Sequence, residues 1–144
     1  MSAMEPLCRL LGINHKKFSK EENSLLEAEL FVRICNDLKE FFRDQYKDFF
    51  QFMKFTANKE NVMLERNFIQ LIINDILSTE EYTVQGIAHY TDIHEDIIHE
   101  FASGLNTKPL AICLRKIIEL HQSVRHELYQ SIGKKIVAEY LSAA

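Results

Sequence analysis

Glycine and proline are scarce in this chain, four and two in 144 residues. So few chain-breaking residues leave little room for the turns a many-stranded fold needs. No stretch alternates apolar and polar residues with period two for long enough to specify a strand. An all-α fold is the expectation. No run of about 18 apolar residues occurs, so no membrane-spanning helix is expected. Three cysteines, Cys8, Cys35 and Cys113, are odd in number and scattered without a Cys-x-x-Cys pair. That usage excludes a disulfide framework and a zinc knuckle, and fits reduced thiols buried as small hydrophobes. The opening segment, MSAMEPLCRLLGINHKK, lacks a signal peptide's order of basic, apolar and small residues. A cytoplasmic address is expected.

Catalytic signatures are missing too. There is no Gly-rich phosphate loop, no nucleophile elbow and no His-Glu-x-x-His. Glu95 or Asp96 with His99 forms an acid-base pairing of the kind that solvated helix surfaces carry routinely, and the chain is read as a non-enzyme without a cofactor. His89, His94 and His99 are five residues apart, whereas a helix brings three- and four-residue neighbours onto one face. Glu95 and His99, an i, i+4 pair, supply two ligands at most, and no metal is expected.

What is present is helical periodicity. A short amphipathic piece is expected over Pro6 to Leu11, ended by Gly12. Ser19-Lys20-Glu21-Glu22 matches a capping box, in which the Ser hydroxyl and the Glu carboxylate each satisfy a backbone N–H. Leu26, Leu30, Ile34, Leu38, Phe41, Phe42, Phe49 and Met53 then recur at three- and four-residue intervals, predicting one long amphipathic helix to about Phe55. A polar break, residues 56–61, precedes a second periodic segment, Val62 to Leu77. Shorter helices follow over Val84–Thr91, Glu95–Ser103 and Pro109–Ser131, with a last one over Lys134–Leu141 after Gly133. Residues 1–60 read as a helical extension and 61–144 as the main helical domain, the two forming one compact unit.

The spacing over Thr83 to His121 is the most specific pattern in the chain. Thr83 precedes a helix in which Ile87 and Ala88 follow four and five residues on; Tyr90 to Ile93 make a turn, His94 to Ser103 a second helix, Gly104 its end, and Pro109 opens a third. This arrangement resembles the helix-turn-helix of phage-repressor and Cro-like regulators, the xenobiotic-response-element family, over about 40 residues. Including Val62–Leu77 as the first helix extends the match to residues 62–121. Two details depart from the family pattern: Val84 stands where a Gln often does, with Gln85 one step on, and Asp92 stands where Gly is common.

Physical reasons for the spacing hold without the family. Ala88 lets two helices cross closely. Tyr82 with Ile87, and Ile93 with Ile98, bracket the two helix starts as hydrophobic staples. Ile87, Ile93, Ile98, Phe101, Leu110, Leu114 and Ile117 are expected to share one core.

The resemblance implies a DNA-binding transcriptional regulator acting as a dimer. Candidate DNA contacts are Thr83, Gln85, His94, Glu95, Asp96, His99, Lys108 and Arg115. Charge argues in the other direction. Between Asn61 and Ser103, Glu65, Asp75, Glu80, Glu81, Asp92, Glu95, Asp96 and Glu100 face only Arg66. Phosphate neutralisation supplies most non-specific DNA affinity, and an acidic reading helix opposes it. The alternative is a non-catalytic protein-interaction module whose acidic face meets a protein partner. Self-association is expected through the wide Phe stripe, with Phe42, Phe49 and Phe50 as candidates, or through a second seam that includes Val124 and Leu128.

Overall fold

The computed structural model describes residues 19–143, and every regular element among them is an α-helix. They are α1 (Lys20–Gln45), α2 (Lys47–Phe52), α3 (Ala57–Arg66), α4 (Phe68–Ser78), α5 (Val84–Thr91), α6 (Glu95–Ser103), α7 (Ala111–Val124) and α8 (His126–Ala143). The short helix expected at Pro6–Leu11, with Cys8, lies outside the described residues.

Helix α1 begins as the capping box requires. Ser19 Oγ accepts the Glu22 N–H at 3.1 Å, and the Glu22 carboxylate reaches back to the Ser19 N–H at 3.4 Å. Its inward stripe is Leu30, Ile34, Leu38 and Phe42, spaced by four, all buried. The helix does not run unbroken to Phe55. It ends at Tyr46, and α2 turns off it so that Phe50 enters the core while Phe49 and Phe50 pack around the Phe55 ring. Lys54, with φ 54°, closes α2 in the left-handed conformation, and the Phe55 N–H reaches back to the Phe50 carbonyl at 3.0 Å. This is the six-to-one bond of a Schellman motif, with Lys where Gly is usual.

The expected helix over Val62–Leu77 is two helices with an earlier start. Thr56 caps α3 by accepting the Lys59 N–H, so most of the polar break is itself helical. Asn67 then interrupts the path, its backbone at φ −104° and ψ 12°. Burial explains the change of direction. Helix α3 is a surface helix that buries only Leu64 among its residues, whereas α4 buries Phe68, Ile69, Leu71, Ile72, Ile73, Asp75 and Ile76. A helix apolar almost all round belongs in the centre of a bundle.

Helices α5, α6 and α7 pack on α4 and on one another. Ile87, Ile98, Phe101, Ile117, Ile118 and Leu120 join the α1 and α4 residues in one buried cluster, with Tyr129, Ile132 and Ile136 of α8 closing it. Residues on both sides of position 60 therefore share a single core. Two sequence expectations need correction here. Leu110 is not in that core: α7 starts at Ala111 rather than Pro109, and Leu110 precedes it with 72 % of its surface exposed. Gly133 ends nothing, since α7 stops at Val124 and α8 runs through Gly133. Gly133 is buried within α8.

Candidate functional site

The surface that the sequence singles out is built on α5 and α6. Thr83 Oγ1 accepts the Gly86 N–H at 3.0 Å and starts α5. Asp92, at φ 56° and ψ 37°, ends it, and the Ile93 N–H returns to the Ala88 carbonyl at 3.2 Å. Asp tolerates this left-handed backbone better than most side chains. Ile93 is buried in the turn, and His94 caps α6 with Nδ1 accepting the Asp96 N–H at 3.1 Å. Because Nδ1 is an acceptor there, Nε2 is the ring atom that remains for an outside group. Gly104, at φ 80°, closes α6.

The inward side of α6 is fixed by Ile98 and Phe101 in the core and by the Ala102 carbonyl, which accepts from Gln70 Nε2 at 3.2 Å and Asn74 Nδ2 at 3.3 Å on α4. The opposite side is polar. His94, Asp96 and His99 are exposed; Glu95 and Glu100 are partly so. Glu95 Oε1 lies 3.5 Å from His99 Nε2, one helical turn away. Thr83, Gln85 and Lys108 are exposed as well. Thr83, however, has its hydroxyl engaged as the cap.

Arg115 leans towards α1, with 41 % of its side chain exposed. Its guanidinium lies 3.9 Å from Glu27 Oε2 and stacks over the Phe31 ring at 5.3 Å, both on α1. The self-association candidates divide. Phe42 and Phe50 are buried in the core, so neither is available to a second subunit. Their positions on the α1 and α2 inward faces leave no surface for one. Val124 and Leu128 are partly buried against the same core, and only Phe49 keeps a large exposed surface.

A polar cluster that the sequence reading did not find lies deep between α4, α7 and α8. The Asp75 carboxylate accepts from Arg125 Nε at 3.0 Å and Nη2 at 2.9 Å, and sits 2.7 Å from His121 Nε2. His121 Nδ1 is 2.7 Å from the Tyr129 hydroxyl. A carboxylate only accepts, so Nε2–H donates to Asp75, and Nδ1 shares a hydrogen bond with the Tyr129 hydroxyl. Burial pushes the Asp75 carboxyl up, but the hydrogen bonds and charges of His121 and Arg125 outweigh it and hold the group at about 2, below the ordinary 3.8. The Tyr129 hydroxyl is raised well above its ordinary value, first by burial and then by the nearby Cys35 and Asp75. Its signal in the sequence was a lone Asp in the apolar run 68–77, and a His, an Arg and a Tyr spaced by four at 121, 125 and 129. With the imidazole 0 % exposed, no substrate reaches it, and the cluster fastens three helices together.

Cys35 is raised to about 11, chiefly by burial, which keeps it a thiol. Among the described residues no group of three or more His, Cys, Asp or Glu side chains is placed to hold a metal ion, and no helix is long and apolar enough to cross a membrane. The chain matches no protein-family model, no curated protein and no solved structure, so function rests on the surfaces described above.

Proposed function

We propose that the chain is a DNA-binding transcriptional regulator of the repressor-like helix-turn-helix class, acting as a dimer and offering α6 to the duplex. The observation that carries this reading is the geometry of α5 and α6: two short capped helices joined by a tight left-handed turn at Asp92, with one side of α6 locked on α4 and the other wholly polar. A helix held this way projects its first turns outward, as major-groove readers do. His94, Glu95, Asp96 and His99 then face base edges, where a carboxylate accepts from cytosine N4 and an imidazole N–H donates to an acceptor such as purine N7. Lys108, exposed in the loop after α6, meets phosphate. The test is a mobility shift of genomic DNA fragments by purified protein across a salt series. Binding that weakens with salt supports the reading. No shift at low salt overturns it.

One observation favours a second reading, a protein-interaction module. Arg115 is held by Glu27 and Phe31, while Glu95, Asp96 and Glu100 remain on the outward side of α6. Such a surface suits a basic protein segment without any need for phosphate contacts. Binding of a Lys/Arg-rich peptide that Asp96→Lys abolishes, with no DNA shift, decides for this reading.

A further inference from the structure

We propose that His94 is a proton-sensitive cap: its neutral imidazole holds the first turn of α6 in place, and its imidazolium releases it. The device concerns the order of α6 itself and stands whichever partner that helix meets. A backbone N–H only donates, so the 3.1 Å contact from the Asp96 N–H needs a lone pair on His94 Nδ1. An imidazole has that lone pair only while it is neutral. Ser, Thr and Asn, the common capping residues, keep their acceptors in acid, whereas a histidine changes charge within the ordinary range of pH. The turn relies on the ring for this one donor, because the Ile97 and Ile98 N–H groups bond to the His94 carbonyl at 3.0 Å and 3.2 Å.

A second acceptor stands ready for the proton. Asp96 Oδ2 lies 3.7 Å from the same Nδ1, so an added Nδ1–H turns from the backbone to the carboxylate. Proton uptake thus exchanges a cap for a side-chain ion pair, and it sets a positive ring at a helix N-terminus, where the dipole disfavours it. The ring is 73 % exposed and takes its proton directly from solvent.

The charged groups around it are acids. Asp92, Glu95, Asp96 and Glu100 lie on α6 and the turn before it, and Lys108 is the first cation to follow in sequence. Of the helices packed on α6, α5 brings His89 and Tyr90, and the one titratable side chain of α4, Asp75, is engaged with His121 and Arg125. His99 lies 3.5 Å from Glu95, one turn before it. Protonation there strengthens a pair within the helix, so the two histidines act on α6 in opposite senses.

Nuclear magnetic resonance of the full chain between about pH 8 and about pH 5, the range in which histidine titrates, tests the cap. At the upper end the ring nitrogens of His94 should report the Nε2–H tautomer. Protection of the Asp96 amide against hydrogen exchange, corrected at each pH for the intrinsic rate, should fall about fivefold towards the lower end, as for the loss of a typical N-cap. Amides in the core of α4, such as that of Ile72, should keep theirs. His94→Asn supplies a cap that does not titrate and leaves His89 and His99 in place, so the Asp96 amide should stay protected throughout. His94→Ala should lower its protection at both ends of the range. An Nδ1–H tautomer at the upper end, a protection that does not change with pH, or the same fall in His94→Asn overturns the proposal. None of these measurements needs DNA, so a failed cap is distinguishable from a failed reading of α6.

Discussion

His121 Nε2 lies 2.7 Å from Asp75 Oδ2, and this bond joins the helix at the centre of the bundle to the helix that leads into α8. The same carboxylate holds both arms of the Arg125 fork, and Tyr129 completes the imidazole's hydrogen bonding from α8. Each polar atom of the cluster that is buried therefore has a partner, the condition under which a polar core specifies one packing.

Asp75→Ala removes the acceptor of three N–H groups, one of His121 and two of Arg125. The expected loss is about 2–3 kcal/mol, the cost of leaving the buried His121 N–H unpaired while Arg125, 37 % exposed, is partly rehydrated. Tyr129→Phe, which deletes one neutral hydrogen bond, should cost only about 1 kcal/mol. Urea unfolding of the two variants checks the ratio. Equal losses would show that packing rather than charge holds the junction.

Acid should release the same junction. The folded Asp75 titrates at about 2 against an ordinary value of 3.8. A depressed folded pKa contributes stability that is complete above the unfolded value and is lost as pH falls through the folded one. The contribution is roughly 2 kcal/mol, disappearing between about pH 4 and pH 2. Unfolding free energy measured through this range should fall less steeply in Asp75→Asn than in wild type.

Much of the fold was legible in the sequence because helical periodicity reports burial directly. The Ser19 capping box, the Thr83 start, the Asp92 turn and the Gly104 stop all stand where local chemistry placed them. The breaks at Tyr46 and Asn67 were not legible, because neither residue forbids a helix. Their cause is tertiary: α2 must bring Phe50 inward, and α4 must leave the surface that α3 follows. The engagement of Arg115 with Glu27 and Phe31 was hidden for a similar reason, since it joins residues more than eighty positions apart in sequence. Phe42 and Phe50 looked like a surplus of aromatics only while the depth of the core was unknown.

Left-handed backbone positions should respond oppositely to opposite changes. Gly104 has φ 80°, and an added Cβ would meet Gln70 Oε1 at 3.0 Å, crowding the side chain that bonds the Ala102 carbonyl. Gly104→Ala is expected to cost about 1–2 kcal/mol. Lys54 already bears a Cβ in that conformation. Lys54→Gly should relieve it and gain up to about 1 kcal/mol, less the added freedom of the unfolded chain. Thermal melts of the two variants should therefore move in opposite directions.

The acidic face of α6 makes the DNA and protein-binding readings respond in opposite directions to a change of charge. Asp96 is exposed and Glu100 partly so, and both repel a phosphate backbone. Replacing them in Asp96→Asn, Glu100→Gln removes two negative charges while keeping the shape of each side chain. Under the DNA reading, affinity for arbitrary fragments at low salt should rise about three- to tenfold, because each exposed charge near phosphate is worth a few tenths of a kcal/mol to one. Discrimination between fragments should fall at the same time, since Asn and Gln no longer act only as acceptors toward cytosine N4. Under the protein reading the same change weakens attraction to a basic partner and leaves DNA unbound. Competition mobility shifts on wild type and variant measure both quantities, and a variant with unchanged affinity and unchanged discrimination would place α6 away from the duplex.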